Sequence, residues 1–298
     1  MLTVTNLRVT SLSLDYLDVS WEIEPTREDV WDYRFTVERS QSPLGPFDPV
    51  TEEFTDKYYF RDVQVPRWDL YAELHYRIKV RRVSDSETTY SSTAAKGPTP
   101  DLIALEVRRL EHILFREHIG RRAFLFPRRT FGQRCPSCYD YVTGQQVKSG
   151  CVTCYDTTYV RGFLDPIELR VQIDPTPKHV ELMDIQKTQQ ENATARCVAE
   201  FPIKPLDMLV EFENRRWRVQ RVSSTQRLRF PLHYELVLHH IPRQDIEWKL
   251  PIDLSDLKTY EPAPEREFTN PHNLEGHTET TEGYLAERAI NGYERGDG

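Results

Sequence analysis

No stretch of the chain approaches the ~20 consecutive apolar residues that a membrane-spanning helix needs. Mean hydropathy is −0.63, so neither a spanning helix nor a membrane partner is expected. A basic excess is also missing: 39 Lys and Arg stand against 47 Asp and Glu, a net charge of −8. A broad electropositive surface for nucleic acid is therefore not expected. The opening residues, MLTVTNLRVTSLSLDYLDVSW, alternate rather than running basic and then apolar, so no secretory leader is expected. There is no Gly-rich phosphate loop, GxSxG elbow or HExxH helix, and the expectation is that the chain is not an enzyme. Only five cysteines occur, four of them in two CxxC pairs, which fits a metal site in a reducing compartment rather than a disulfide framework.

What is present is enough to build cores. Hydrophobic residues make up 38% of the 298 and charged residues 29%, the balance of a folded protein. The acidity is concentrated at one end. Residues 251–298 hold eleven Asp and Glu against four Lys and Arg, or −7, so the first 250 carry −1.

The chain divides by periodicity. Residues 1–97 alternate apolar and polar side chains in short runs, including 3–9, 17–24, 33–39, 58–60, 74–83 and 87–91. Turn clusters such as SQSPLGPFDPV at 40–50 separate the runs, a pattern that predicts a β-sandwich. With Trp21 on the second strand and Tyr76 leading YRIKV, the segment resembles a fibronectin type III domain. Residues 98–162 start with a linker and a helix over 101–119. The apolar stripe Ile103, Val107, Leu110 and Leu114 would face a core, with Asp101 at the start and Gly120 just past the end. AFLF at 123–126 reads as a buried strand. Residues 163–250 return to alternation in ELRVQID, MLVEF, RWRVQRV and YELVLHHI, with FENRR as a hairpin turn, and predict a small β-barrel. The polar residues 251–298 predict an acidic arm, extended or disordered, that orders only on a partner. The expected fold class is thus mainly β and multidomain.

The sharpest chemical signal is Cys135-Pro-Ser-Cys138, twelve residues, then Cys151-Val-Thr-Cys154. Each CxxC sets two thiolates on one tight turn, and two turns complete a tetrahedral S₄ site with Zn–S near ~2.3 Å. Soft thiolates with no open position favour Zn2+ in a structural role. Gly follows a CxxC in many zinc ribbons, whereas Tyr139 and Tyr155 stand there in this chain. Eight arginines fall between 108 and 134 against Glu111 and Glu117. Such a run is most often a solvated face or a protein contact, with DNA as the lesser alternative. His239 and His240 are neighbours on one strand and so point to opposite faces. Cys197 reads as a small buried apolar residue, and Trp21, Tyr76 and Trp217 as core or interface anchors.

Asp207-Met-Leu209 followed by Trp217-Arg218-Val219, with His240-Ile-Pro-Arg-Gln-Asp245 ending the last strand, resembles the small barrel of tailed-phage head-closure (stopper) and neck proteins. CPSCYD at 135–140 and CVTCY at 151–155, directly before that barrel, are similar to a cluster found in phage proteins of this kind. The resemblance implies a structural virion protein at the head–tail junction, made in the host cytoplasm. It implies homo-oligomeric rings of roughly six or twelve copies, with portal or adaptor and tail proteins as partners and non-specific contact with packaged DNA. The alternatives are a tail or baseplate structural protein and a nucleic-acid-binding zinc-ribbon factor.

Overall fold

The structure, a computed structural model, describes residues 2–12, 16–65, 73–98, 101–175, 179–183, 186–190, 192–211 and 214–252. The acidic arm expected at 251–298 lies outside these residues but for its first two, and the FENRR turn lies partly outside them. The protein is mainly β, and Met1–Leu257 is one compact unit.

The N-terminal strands are β1 (Val4–Thr10), β2 (Leu17–Ile23), β3 (Tyr33–Ser40), β4 (Asp48–Pro49), β5 (Tyr59–Asp62), β6 (His75–Arg82), β7 (Thr88–Tyr90) and β8 (Ala94–Ala95). They form two sheets, β1-β2-β5 and β4-β3-β6-β7, with β8 also on β6. Alternation places Leu17, Val19, Trp21 and Ile23 from one sheet against Phe35, Val37, Tyr76, Ile78 and Val80 from the other in a shared core. Trp21 meets Phe54, Phe35 and Tyr58 at ring separations of 5.9 to 6.4 Å. The Tyr76 hydroxyl donates to Asp62 at 2.8 Å, a carboxylate that Arg39 also holds.

Helix α1 (Leu102–Ile113) continues as a π-helical turn over Leu114–Ile119. Its expected inner stripe is off by one position, about 100° round the helix. Ile103, Leu110 and Leu114 are 56%, 53% and 37% exposed, while Ala104, Arg108 and Phe115 are buried. The docking face uses a small residue for close approach and a cation with specific acceptors. Arg108 donates to the Ala199 and Pro231 carbonyls at 3.0 and 3.3 Å and lies over Phe230. Apolar periodicity marks an apolar face but does not say what covers it.

The remaining strands are β9 (Arg121–Phe126), β10 (Tyr139–Asp140), β11 (Gln145–Gln146), β12 (Ile167–Pro175), β13 (His179–Met183), β14 (Gln186–Gln190), β15 (Asn192–Val198), β16 (Met208–Glu211), β17 (Arg216–Arg227) and β18 (Phe230–His240). Six of them close a barrel in the order β12-β15-β18-β17-β16-β9, while β13 and β14 form a separate hairpin. Inward positions follow the period of two: Leu169, Val171 and Ile173; Ala193, Ala195 and Cys197; Trp217 and Val219; Leu236 and Leu238. The segment 163–250 lacks one strand of this cycle. β9, from before the cysteines, closes it by pairing with β12 and β16. Residues 127–166 are therefore an excursion between two neighbouring barrel strands.

Candidate metal centre

That excursion carries the four cysteines. The turn at Cys135–Cys138 leads into the β10–β11 hairpin, which returns the chain to Cys151–Cys154. All four side chains are buried, and their sulfurs lie within 4.8 Å of one another. The Cys135–Cys151 separation is 3.8 Å and the Cys138–Cys154 separation 3.2 Å. A tetrahedron with ~2.3 Å metal–sulfur bonds has edges of about 3.8 Å, so the donor set is the right size for one four-coordinate ion. Burial pushes Cys138 far up and Cys154 up to about 11, whereas at Cys151 burial is opposed by the amides of Thr153 and Cys154 together with the neighbouring Cys154 and Cys135 thiols, and the thiol is held down to about 7. Several thiolates in one dry cage repel, and a cation at their centre removes that cost.

Local backbone chemistry builds the cage. Asp156 accepts from the Gly150 and Cys151 amides at 2.9 Å each and from the Gln146 side chain at 3.1 Å, tying the hairpin to the second cysteine turn. Tyr155 and Asp156 adopt φ of +49° and +59°. Tyr155 thus occupies in strain the left-handed position glycine would fill freely, whereas Tyr139 is an ordinary strand residue. Gly162, at φ +68°, passes so close that a Cβ there would lie 2.6 Å from the Cys154 carbonyl oxygen.

The same excursion bolts the sandwich to the barrel. Phe131 enters the sandwich core, edge-on to Tyr58 at 4.8 Å. Arg129 is buried and grips Asp56 with both terminal nitrogens, one at 2.9 Å; Arg161 reaches the same carboxylate at 3.1 Å. Backbone bonds join Thr26 to Gly132 and Arg134, both at 3.0 Å. The Arg134 guanidinium stacks between Tyr139 and Tyr159, at 4.4 and 4.2 Å, and donates to Thr158 at 2.8 Å.

Seven of the eight arginines noted in the sequence have a partner inside the chain. Besides Arg108, Arg129 and Arg134, these are Arg109 with Glu106, Arg116 with Glu117, Arg122 with Glu168, and Arg128 with the Asp156 carbonyl. His239 bonds Asn192 at 3.0 Å while His240 lies against Trp217, so the two do not converge. Cys197 sits in the barrel core, its thiol pushed up to about 12 by burial. A groove of about 610 Å³ runs between sandwich and barrel. Three of its carboxylates are held within the chain: Asp18 by Arg61 and Tyr59, Asp56 by Arg129, and Asp207 by the Arg128 and Lys204 amides at 2.8 and 2.7 Å. Burial pushes Asp207 up to about 6. Asp207 was legible as part of a motif, but its role as the clasp on the excursion's first residues was not. The chain matches no protein-family model and no curated protein.

Proposed function

We propose that the chain is a structural virion protein of a tailed phage, a ring-forming neck subunit that closes the head and joins it to the tail. The observation that carries this reading is the closed six-stranded barrel with a four-cysteine excursion between two of its adjacent strands, on a chain whose barrel segment resembles stopper proteins. The ion proposed for the cage is Zn2+, held by Cys135, Cys138, Cys151 and Cys154. Four thiolates leave no open position, so the ion supplies folding energy rather than an activated water. The two-sheet N-terminal region, with Trp21 buried on its second strand and the Tyr76 hydroxyl bound to Asp62, supports a fibronectin type III-like module. The internal partners of the arginines weigh against the nucleic-acid factor.

Antibody against residues 1–97, located on purified virions by electron microscopy, tests the assignment. Label at the head–tail junction is the expected result. Label at the distal tail would move the protein to the baseplate. Absence from every particle, together with DNA affinity that falls steeply with salt, would replace the reading with the nucleic-acid factor.

A further inference from the structure

The outward face of α1 is apolar. Leu102, Ile103, Leu110 and Ile113 are 69%, 56%, 53% and 41% exposed, whereas the opposite face of the helix, with Ala104 and Arg108, is buried. Soluble surfaces carry scattered aliphatics without consequence, but several on one helical face mark a contact. Between the two apolar ends lie Glu106 and Arg109, which pair with each other at 2.8 Å and are 55% and 62% exposed. The order along the face is therefore apolar, acid, base, apolar.

That order is complementary to its own reverse. If a second α1 lies antiparallel, Leu102 meets Ile113 of the other copy, Glu106 meets Arg109, and Leu110 meets Leu105 or Ile103. Parallel packing would set Glu106 against Glu106 and Arg109 against Arg109. We propose that two copies of this chain associate through the exposed faces of α1, antiparallel about a twofold axis, with reciprocal Glu106–Arg109 pairs at the centre. The intrahelical pair is exposed and worth little, so exchanging partners costs little. A helix of this length spans about 18 Å, so the contact is small and belongs to the weak, reversible class. An isologous contact closes on two copies. The pair thus describes the free chain, stands apart from the neck reading, and leaves ring contacts to other surfaces.

Sedimentation equilibrium of the full chain over a concentration series tests the pair. The unaltered chain is expected to pass from monomer to dimer. Leu110→Glu, on an exposed position, should raise the dissociation constant by tenfold or more while leaving the melting profile in place. Glu106→Arg alone should weaken the dimer similarly by opposing like charges, and Glu106→Arg with Arg109→Glu should restore it. Restoration separates specific pairing from general stickiness, and from the failure of a variant to fold. A monomer at every concentration would overturn the proposal, as would self-association that survives Leu110→Glu. Helix amides protected from exchange in a monomer only while residues 253–298 are present would give the face to the chain's own tail, and would overturn it too.

Discussion

Gly162 and Asp207 show how single positions hold the excursion in place. At Gly162, a methyl group meets both a disfavoured φ and a backbone oxygen that cannot move aside. Gly162→Ala should cost roughly 2 kcal/mol or more, read by chemical denaturation, and should loosen the second cysteine turn. A variant as stable as the parent would mean that Cys154 is not held where described. Asp207 is an acid whose folded pKa, about 6, lies above its ordinary value of 3.8. The folded state therefore binds the extra proton between those values, and this group's contribution to stability is present at low pH and is lost as pH rises from about 4 through 6. Asp207→Asn should remove that component, so the parent-minus-variant stability difference should fall as pH rises through the same window. A difference independent of pH would contradict it.

Among the elements, those built on a period of two were legible. Strands β2, β3, β6, β12, β17 and β18 fall within a few residues of their alternating runs, because each buries one face on a core that alternation alone specifies. The CxxC pairs were legible for a similar reason, since ligand spacing is local. What was not legible depended on distant partners. β9 reads as a short apolar run, and nothing in AFLF reveals that it pairs with β12 some forty residues on. The inner face of α1 was misread because Arg108, a cation, packs inward on carbonyls that only the folded barrel supplies. The Arg129–Asp56 bridge likewise joins two segments that look unrelated in the chain. It is buried, so Arg129→Met should cost about 3–5 kcal/mol by leaving the Asp56 charge with the half-exposed Arg161 and the neutral Tyr58 hydroxyl. Asn tolerates the φ of +55° at position 56, so Asp56→Asn combined with Arg129→Met should cost less than Arg129→Met alone. Equal or greater loss in the double variant would show that the charge pair is not what the site depends on.

At the scale of the molecule, the cysteine excursion has two attachments and a cage of its own. Its ends continue barrel strands β9 and β12, while Phe131 and Arg129 insert into the sandwich. Folding of the excursion and docking of the two β modules are thereby coupled, and an ion that organises the cage stabilises the joint as well as the loop. Native mass spectrometry of the full chain, with and without Cys138→Ser, tests this most directly. The account predicts one zinc per chain in the parent, lost in the variant together with a clear fall in melting temperature. A parent chain that binds no metal when folded in its presence, or a Cys138→Ser chain that keeps both its zinc and its thermal profile, would contradict it.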